Sequence, residues 1–178
     1  KIPILFNIFN RPEPTRSVLE AIGQQRPAKL YVHGDGPRVG HPTDAENVEA
    51  CKAIISELVD WPCELYVLYE TENKGCGCGP ADAITWFFEN EEQGIILEDD
   101  CFPHPDFFRF AEEMLERYKD DERVTSIAGS NFQDGKKRGT ASYYFSNHNR
   151  IWGWATWRRV WKKYDYYMSQ DTNESICK

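Results

Sequence analysis

Apolar residues in this chain come in short runs separated by mixed stretches. Residues 2–9, IPILFNIF, are almost continuously apolar and predict a buried first strand. Asn10, Arg11 and Pro12 interrupt the run, and PTRSVLEAIGQQ then has a helical pattern. KLYVH at 29–33 predicts a second strand, ended by Gly34-Asp35-Gly36-Pro37. Over 43–59, Val48, Cys51, Ile54, Ile55 and Leu58 form one helical stripe, with Thr43 and Asp44 placed to cap it. ELYVLY at 64–69 predicts a third strand, residues 73–80 a glycine-rich loop, and ADAITWFFEN a helix. Ile95, Ile96 and Leu97 predict a fourth strand. Pro103, His104 and Pro105 then break the backbone, and Asp106 is the candidate N-cap of the helix DFFRFAEEMLERY.

Strand and helix thus alternate four times, which predicts an α/β fold: a mostly parallel sheet flanked by helices. TSIAGSNF at 125–132 and SYYFSN at 142–147 predict further strands around the polar loop 133–140, a small antiparallel addition near the C-terminus. Trp154, Trp157 and Trp161 fall at helical spacing and predict a buried helix face. Gly153 between two tryptophans leaves a second reading open, an apolar wall on which a sugar ring stacks. No repeat or linker divides the chain, so one domain spanning residues 1–178 is expected.

In a parallel sheet the polar clusters that follow each strand share one edge, where open α/β sheets bind ligands. Those clusters are Asn10-Arg11, Asp35, the glycine-rich segment and Glu98-Asp99-Asp100. Three adjacent carboxylates repel one another unless a cation bridges them. A hard divalent ion such as Mg²⁺ or Mn²⁺ suits oxygen ligands and would in turn hold phosphates. The competing reading is a solvated acidic loop, although such a loop has no need to start inside a buried strand.

Composition narrows the partners. The formal net charge is −8, which argues against nucleic acid or an anionic membrane as the main partner. No run of 18 apolar residues exists to span a bilayer, and no signal peptide is visible. The start at Lys1 without methionine and the polar end at Lys178 are expected of a piece of a longer protein. Six cysteines form no paired C-x-x-C knuckles, so free thiols in a reducing, cytoplasmic compartment are expected rather than a zinc site.

FNRP at 9–12, HGDG at 33–36, NKGCGCG at 73–79, ILEDDCFPHPDFF at 96–108 and the GW of IWGWATW together resemble a GT-A glycosyltransferase. The resemblance covers nearly the whole chain and is nearest to the N-acetylglucosaminyltransferase I type and to bacterial and viral glycosyltransferase-2-like proteins. It implies a Rossmann-like sheet, a nucleotide-diphosphate donor such as a UDP-sugar, and a glycan or other hydroxyl acceptor. EDD then stands for the DXD motif, with Asp100 as the Mn²⁺ or Mg²⁺ ligand and Glu98 and Asp99 against ribose and donor sugar. Arg11 and Asp35 would help hold the nucleotide. His148 is a further candidate for metal or phosphate.

The implied mechanism is an inverting single displacement, with a carboxylate as general base for the acceptor hydroxyl. Asp171 is the nearest candidate for that base and Asp165 the second, with a plain surface role open for Asp171. The family's histidine in the region of the glycine-rich segment is missing here, which leaves the donor open. Two alternatives stand beside glycosyl transfer: a nucleotidyltransferase on a similar sheet, or a non-catalytic sugar- or nucleotide-binding domain of a multidomain protein. A nucleotidyltransferase would want a basic, glycine-rich loop after the first strand. FNIFNRPEP has one arginine and no glycine there.

Overall fold

The structure, a computed structural model, describes residues 1–137 and 139–167. Among these residues, six strands form one sheet, β1 (Ile4–Ile8), β2 (Lys29–Gly34), β3 (Glu64–Tyr69), β4 (Gln93–Glu98), β5 (Ile127–Ala128) and β6 (Trp154–Trp157), and five helices connect or cover them, α1 (Pro12–Gln25), α2 (Asp44–Leu58), α3 (Gly75–Asn90), α4 (Pro105–Arg117) and α5 (Arg158–Trp161). The strand order is β3-β2-β1-β4-β6-β5. The first four strands are mutually parallel, whereas β6 runs antiparallel to both β4 and β5. The connection from β1 leads outward to β2 and β3, while β4 lies on the other side of β1. The order of strands therefore reverses between β1 and β4, the position at which such sheets open a crevice beyond their carboxyl ends.

Side-chain alternation along the strands builds two cores. Ile4, Phe6 and Ile8 of β1, with Leu30, Val32, Ile95 and Leu97, face α1, α2 and α4. Leu5, Tyr31 and Ile96 face α3, packed on Ala83, Ile84, Phe87 and Phe88. Being covered on both faces explains why β1 and the centre of β4 read as nearly continuous apolar runs. Each fully buried side chain such as Phe6 or Phe87 contributes roughly 1.5–3 kcal/mol of transfer free energy.

The structure corrects five local expectations. Residues 75–80 are not a loop but the first turns of α3, with Pro80 inside the helix. Asp106 is not the cap of α4; His104 is, its ring Nδ1 accepting from the Asp106 backbone N–H at 3.2 Å. The strand expected over 125–132 shrinks to Ile127–Ala128. Residues 142–147 form no strand. Trp154 and Trp157 lie on β6 rather than on a helix, so they point to opposite faces: Trp157 is buried in the α1–α2–α4 core and Trp154 packs toward α3. Pairing with β4 overrides the three-residue spacing, because Ile95↔Ala155 and Ile96↔Trp154 bury β6 on both faces.

Candidate nucleotide and carboxylate site

The carboxyl ends of β1, β2 and β4 are tied together by the polar residues that follow them. At β4 the Cys101 N–H donates to the Glu98 carbonyl at 2.9 Å, closing a tight turn with Asp99 and Asp100 at its centre. That turn sends the two carboxylates in different directions. Asp99 is only 3% exposed. Asp100 is half exposed. Arg11, the last residue before α1, reaches Asp99 with both arms of its guanidinium. Nε donates to Oδ2 at 3.2 Å and Nη2 donates to Oδ1. Its Nη1 also donates to Asp100 at 3.3 Å. A planar fork against a buried carboxylate is the geometry in which arginine serves better than lysine.

One guanidinium thus faces three carboxyl groups. Burial pushes the Glu98 carboxyl above its ordinary value, and the neighbouring Asp100 and Asp99 charges add to that rise. Burial likewise raises Asp99, against the pull of Arg11. The excess negative charge at Glu98 and Asp100 matches what a hard cation with oxygen ligands neutralises. Among the described residues, no group of three or more His, Cys, Asp or Glu side chains could enclose a metal ion. The donor set fits the mode in which Mg²⁺ or Mn²⁺ keeps several waters and is held by one or two carboxylates plus substrate phosphates.

Asp35 follows β2 and is nearly buried. Its Oδ1 accepts from the backbone N–H groups of Gly36 and Lys74 at 2.9 and 2.8 Å. Its Oδ2 accepts from Asn73 Nδ2 and the Gly75 N–H at 2.9 and 3.2 Å. Helix α3 has no capping side chain of its own at Lys74. A carboxylate from another strand end therefore supplies the cap and meets the positive end of the helix dipole. Four donors already occupy the carboxylate that the resemblance assigns to the nucleotide. The loop carrying it is tightly placed: a Cβ on Gly36 would lie 2.5 Å from Glu72 backbone atoms.

At the start of α2, which has no side-chain cap, Asn10 and Arg38 instead hold the side chain of Asp44. Asp44 Oδ1 accepts from Asn10 Nδ2 at 2.7 Å and from Arg38 Nη2 at 3.0 Å. Its Oδ2 accepts from Arg38 Nε at 2.7 Å. The Arg38 guanidinium holds the Asp44 carboxyl well below the usual carboxylate range.

Two residues carry an unsatisfied polar group that the sequence pattern hid. Asn7 is 7% exposed, and both atoms of its carboxamide lack a partner among the described residues. His33 is 2% exposed, its Nε2 makes no hydrogen bond, and burial lowers its pKa. In register, Asn7 stands between His33 on β2 and Glu98 on β4. The three form one polar row across the carboxyl end of the sheet, on the side that faces α3. The one signal in the sequence was a polar residue inside each of the runs IPILFNIF and KLYVH.

The remaining candidates lie elsewhere. Asp165 follows α5, is half-buried, and accepts from the Tyr167 N–H at 3.0 Å. Asp171 lies outside the described residues. His148 is exposed on the wall of an open cleft between α4 and residues 124–150, apart from the acidic turn and in company with His104 and Asp106. Gly153 has a φ of 66°, in the left-handed region that glycine tolerates, and its carbonyl accepts from the Gly129 N–H at 2.9 Å. Trp152 beside it is exposed, whereas Trp154 is half-buried. The described cysteines are all free, with Cys51 and Cys101 buried and Cys76 exposed. Burial pushes the Cys101 thiol up to about 11.

No family model matches this chain. No curated protein matches it either. Solved structures do. The crystal structure of a 4-diphosphocytidyl-2C-methyl-D-erythritol synthase from Anaerococcus prevotii superimposes with a TM-score of 0.58 over 97% of this chain and 79% of that one, at 7% identity. With so low an identity, the likeness carries the fold alone. What the sheet order and this neighbour establish together is a Rossmann-like α/β fold with a six-stranded mixed sheet, mostly parallel and flanked by helices.

Proposed function

We propose that this chain is a divalent-metal-assisted glycosyltransferase, moving a sugar from a nucleoside diphosphate to a hydroxyl acceptor. One observation carries the reading. At the reversal point of the sheet, one Arg11 guanidinium is shared by the buried Asp99 and the half-exposed Asp100, so three carboxyl groups, Glu98 included, meet a single positive charge. Mn²⁺ or Mg²⁺ bound there would offset the charge of a diphosphate leaving group. Asp100, half exposed, is the side chain best presented to hold the ion. Glu98, at the end of β4, would meet a donor's hydroxyls, and Arg11 would hold the turn through Asp99 and Asp100. Asn7 and His33 offer spare hydrogen-bonding groups to the nucleotide end. Asp165 and Asp171 stand as the carboxylates for general-base work on the acceptor. A true base at Asp165 predicts a loss in kcat of about 10²–10⁴ for Asp165→Asn.

A second reading, nucleotidyl transfer, is favoured by the solved neighbour, which is named as a diphosphocytidyl-compound synthase. That likeness supports nucleotidyl transfer more directly than glycosyl transfer. Against it stands the β1–α1 turn, whose only basic residue is already engaged by Asp99 and Asp100. A triphosphate would have to be held by groups from elsewhere.

The decisive experiment is a melting titration with nucleotides and metal, followed by product analysis. At a hundredfold excess over Kd, UDP with Mn²⁺ should raise Tm by roughly 5–10 °C, and Asp100→Ala should abolish that rise. Release of UDP from a UDP-sugar supports glycosyl transfer. Release of pyrophosphate from CTP or UTP transfers the assignment to the second reading. No response to any nucleotide–metal pair would defeat both.

A further inference from the structure

The open cleft between α4 and residues 124–150 has no part in the site described above. It encloses about 960 Å³. Its floor is aromatic: Tyr143 packs against Phe110, Tyr118 and Phe145, and the Tyr118 and Tyr143 hydroxyls hydrogen-bond at 2.6 Å. Its rim exposes rings to solvent, including Phe132, Tyr144 and Phe145, the last 68% exposed. Isolated exposed rings are ordinary, but several grouped along one cleft are not.

Charge gives the second observation. The whole chain carries 29 acidic against 21 basic residues. The cleft reverses that balance: Arg123, Lys136, Lys137 and Arg150 line it, and Asp106 is the one carboxylate among its lining residues. Asp121 holds Arg123, whereas Lys136, Lys137 and Arg150 have no carboxylate partner among the described residues. Arg150 instead lies over the Phe132 ring, 4.7 Å from its centre. Unpaired cations beside ring faces suit a ligand that is flat-sided, hydroxylated and negatively charged.

From this combination we infer that the cleft binds an anionic oligosaccharide, one bearing uronic-acid or sulfate groups. Its sugar rings lie against Phe132, Tyr144 and Phe145, and its acidic groups meet Lys136, Lys137 and Arg150. His104 and Asp106 on the cleft wall come four and six residues after Asp100 in the chain. The opposite wall is pinned to the Trp152–Gly153 segment by Ser130 Oγ donating to the Trp152 carbonyl at 3.0 Å and by the Gly129–Gly153 hydrogen bond. If the transferase reading holds, the oligosaccharide is the acceptor. Binding itself does not depend on that reading.

The test is calorimetric titration of the full chain with a heparin-derived hexasaccharide and a hexamer of galacturonic acid, with maltohexaose as the neutral control. Both anionic probes should bind saturably and weaken as salt rises. Lys136→Glu combined with Lys137→Glu should weaken them on the order of tenfold with Tm unchanged, since both side chains are exposed. Phe132→Ala should weaken them as well. Equal binding of maltohexaose, tighter binding of a single-stranded RNA dodecamer, or no binding of either anionic probe would each overturn the inference. The UDP–Mn²⁺ melting shift separates this inference from the transferase reading. If the shift is kept while both anionic probes fail to bind, only the cleft assignment is lost. If glycan binding is kept without any nucleotide response, only the transferase reading is lost.

Discussion

Asn7 shows what a single side chain costs in this fold. A buried carboxamide with neither atom bonded loses the hydrogen bonds that water would give it, about 1–3 kcal/mol by mutational measure. Leucine branches at the same carbon with the same number of side-chain heavy atoms and carries no polar atom. Asn7→Leu should therefore leave Tm unchanged or raise it, while weakening nucleotide binding in the same titration; a drop in Tm with binding intact would mean that the carboxamide is structural. Asp44 behaves in the opposite way. Hydrogen bonds from Arg38 lead in depressing its folded-state pKa, with help from Asn10. The unfolded state thus binds the proton more readily, and the stabilisation is complete above the ordinary carboxylate value of about 4. It is lost as pH falls below that value toward the folded one. Stability measured from pH 5 downward should decline, and Asp44→Asn should flatten that decline.

At the level of elements, the junction of β2 with α3 is where packing leaves least room. Gly36 passes against the backbone of Glu72, and Asp35 beside it caps α3 from across the sheet edge. A methyl group there cannot be met by a side-chain movement, because the obstructing atoms are main chain. Gly36→Ala should cost about 1–3 kcal/mol, read as a lower urea midpoint with an unchanged m value. The same junction explains why α3 was hard to read. Glycines at 75, 77 and 79 and a proline at 80 are the poorest helix formers, and local propensity makes them a loop. A carboxylate forty residues upstream satisfies the first amides and tips the balance. The tryptophan spacing misled for a related reason. Trp154 and Trp157 sit three apart because a four-residue strand buries one on each face of the sheet. His104, not the expected Asp106, caps α4, its imidazole accepting where a carboxylate was expected to.

Across the whole molecule, the strand order gathers segments far apart in sequence onto one edge. Ligand binding at that edge should protect amides of residues 9–11, 34–36 and 98–101 from hydrogen exchange together, and leave the amino ends of the same strands unaffected. Protection confined to one segment would contradict a shared crevice. No helix among the described residues is long and apolar enough to cross a membrane. The four strand–helix units are legible in the residue pattern alone, because buried parallel strands must be apolar runs and their helices must carry a stripe. So is the placing of three carboxylates after the fourth strand. What each of them does follows from the packed fold. Arg11, 88 residues from Asp99, is shared by Asp99 and Asp100, so three carboxyl groups meet one cation. Asp35 is drawn to the start of α3, and among the described residues the Asn7 carboxamide and His33 Nε2 are left without a hydrogen bond. Local pattern records which side chains are buried; which charge meets which is fixed only when distant strands come into register.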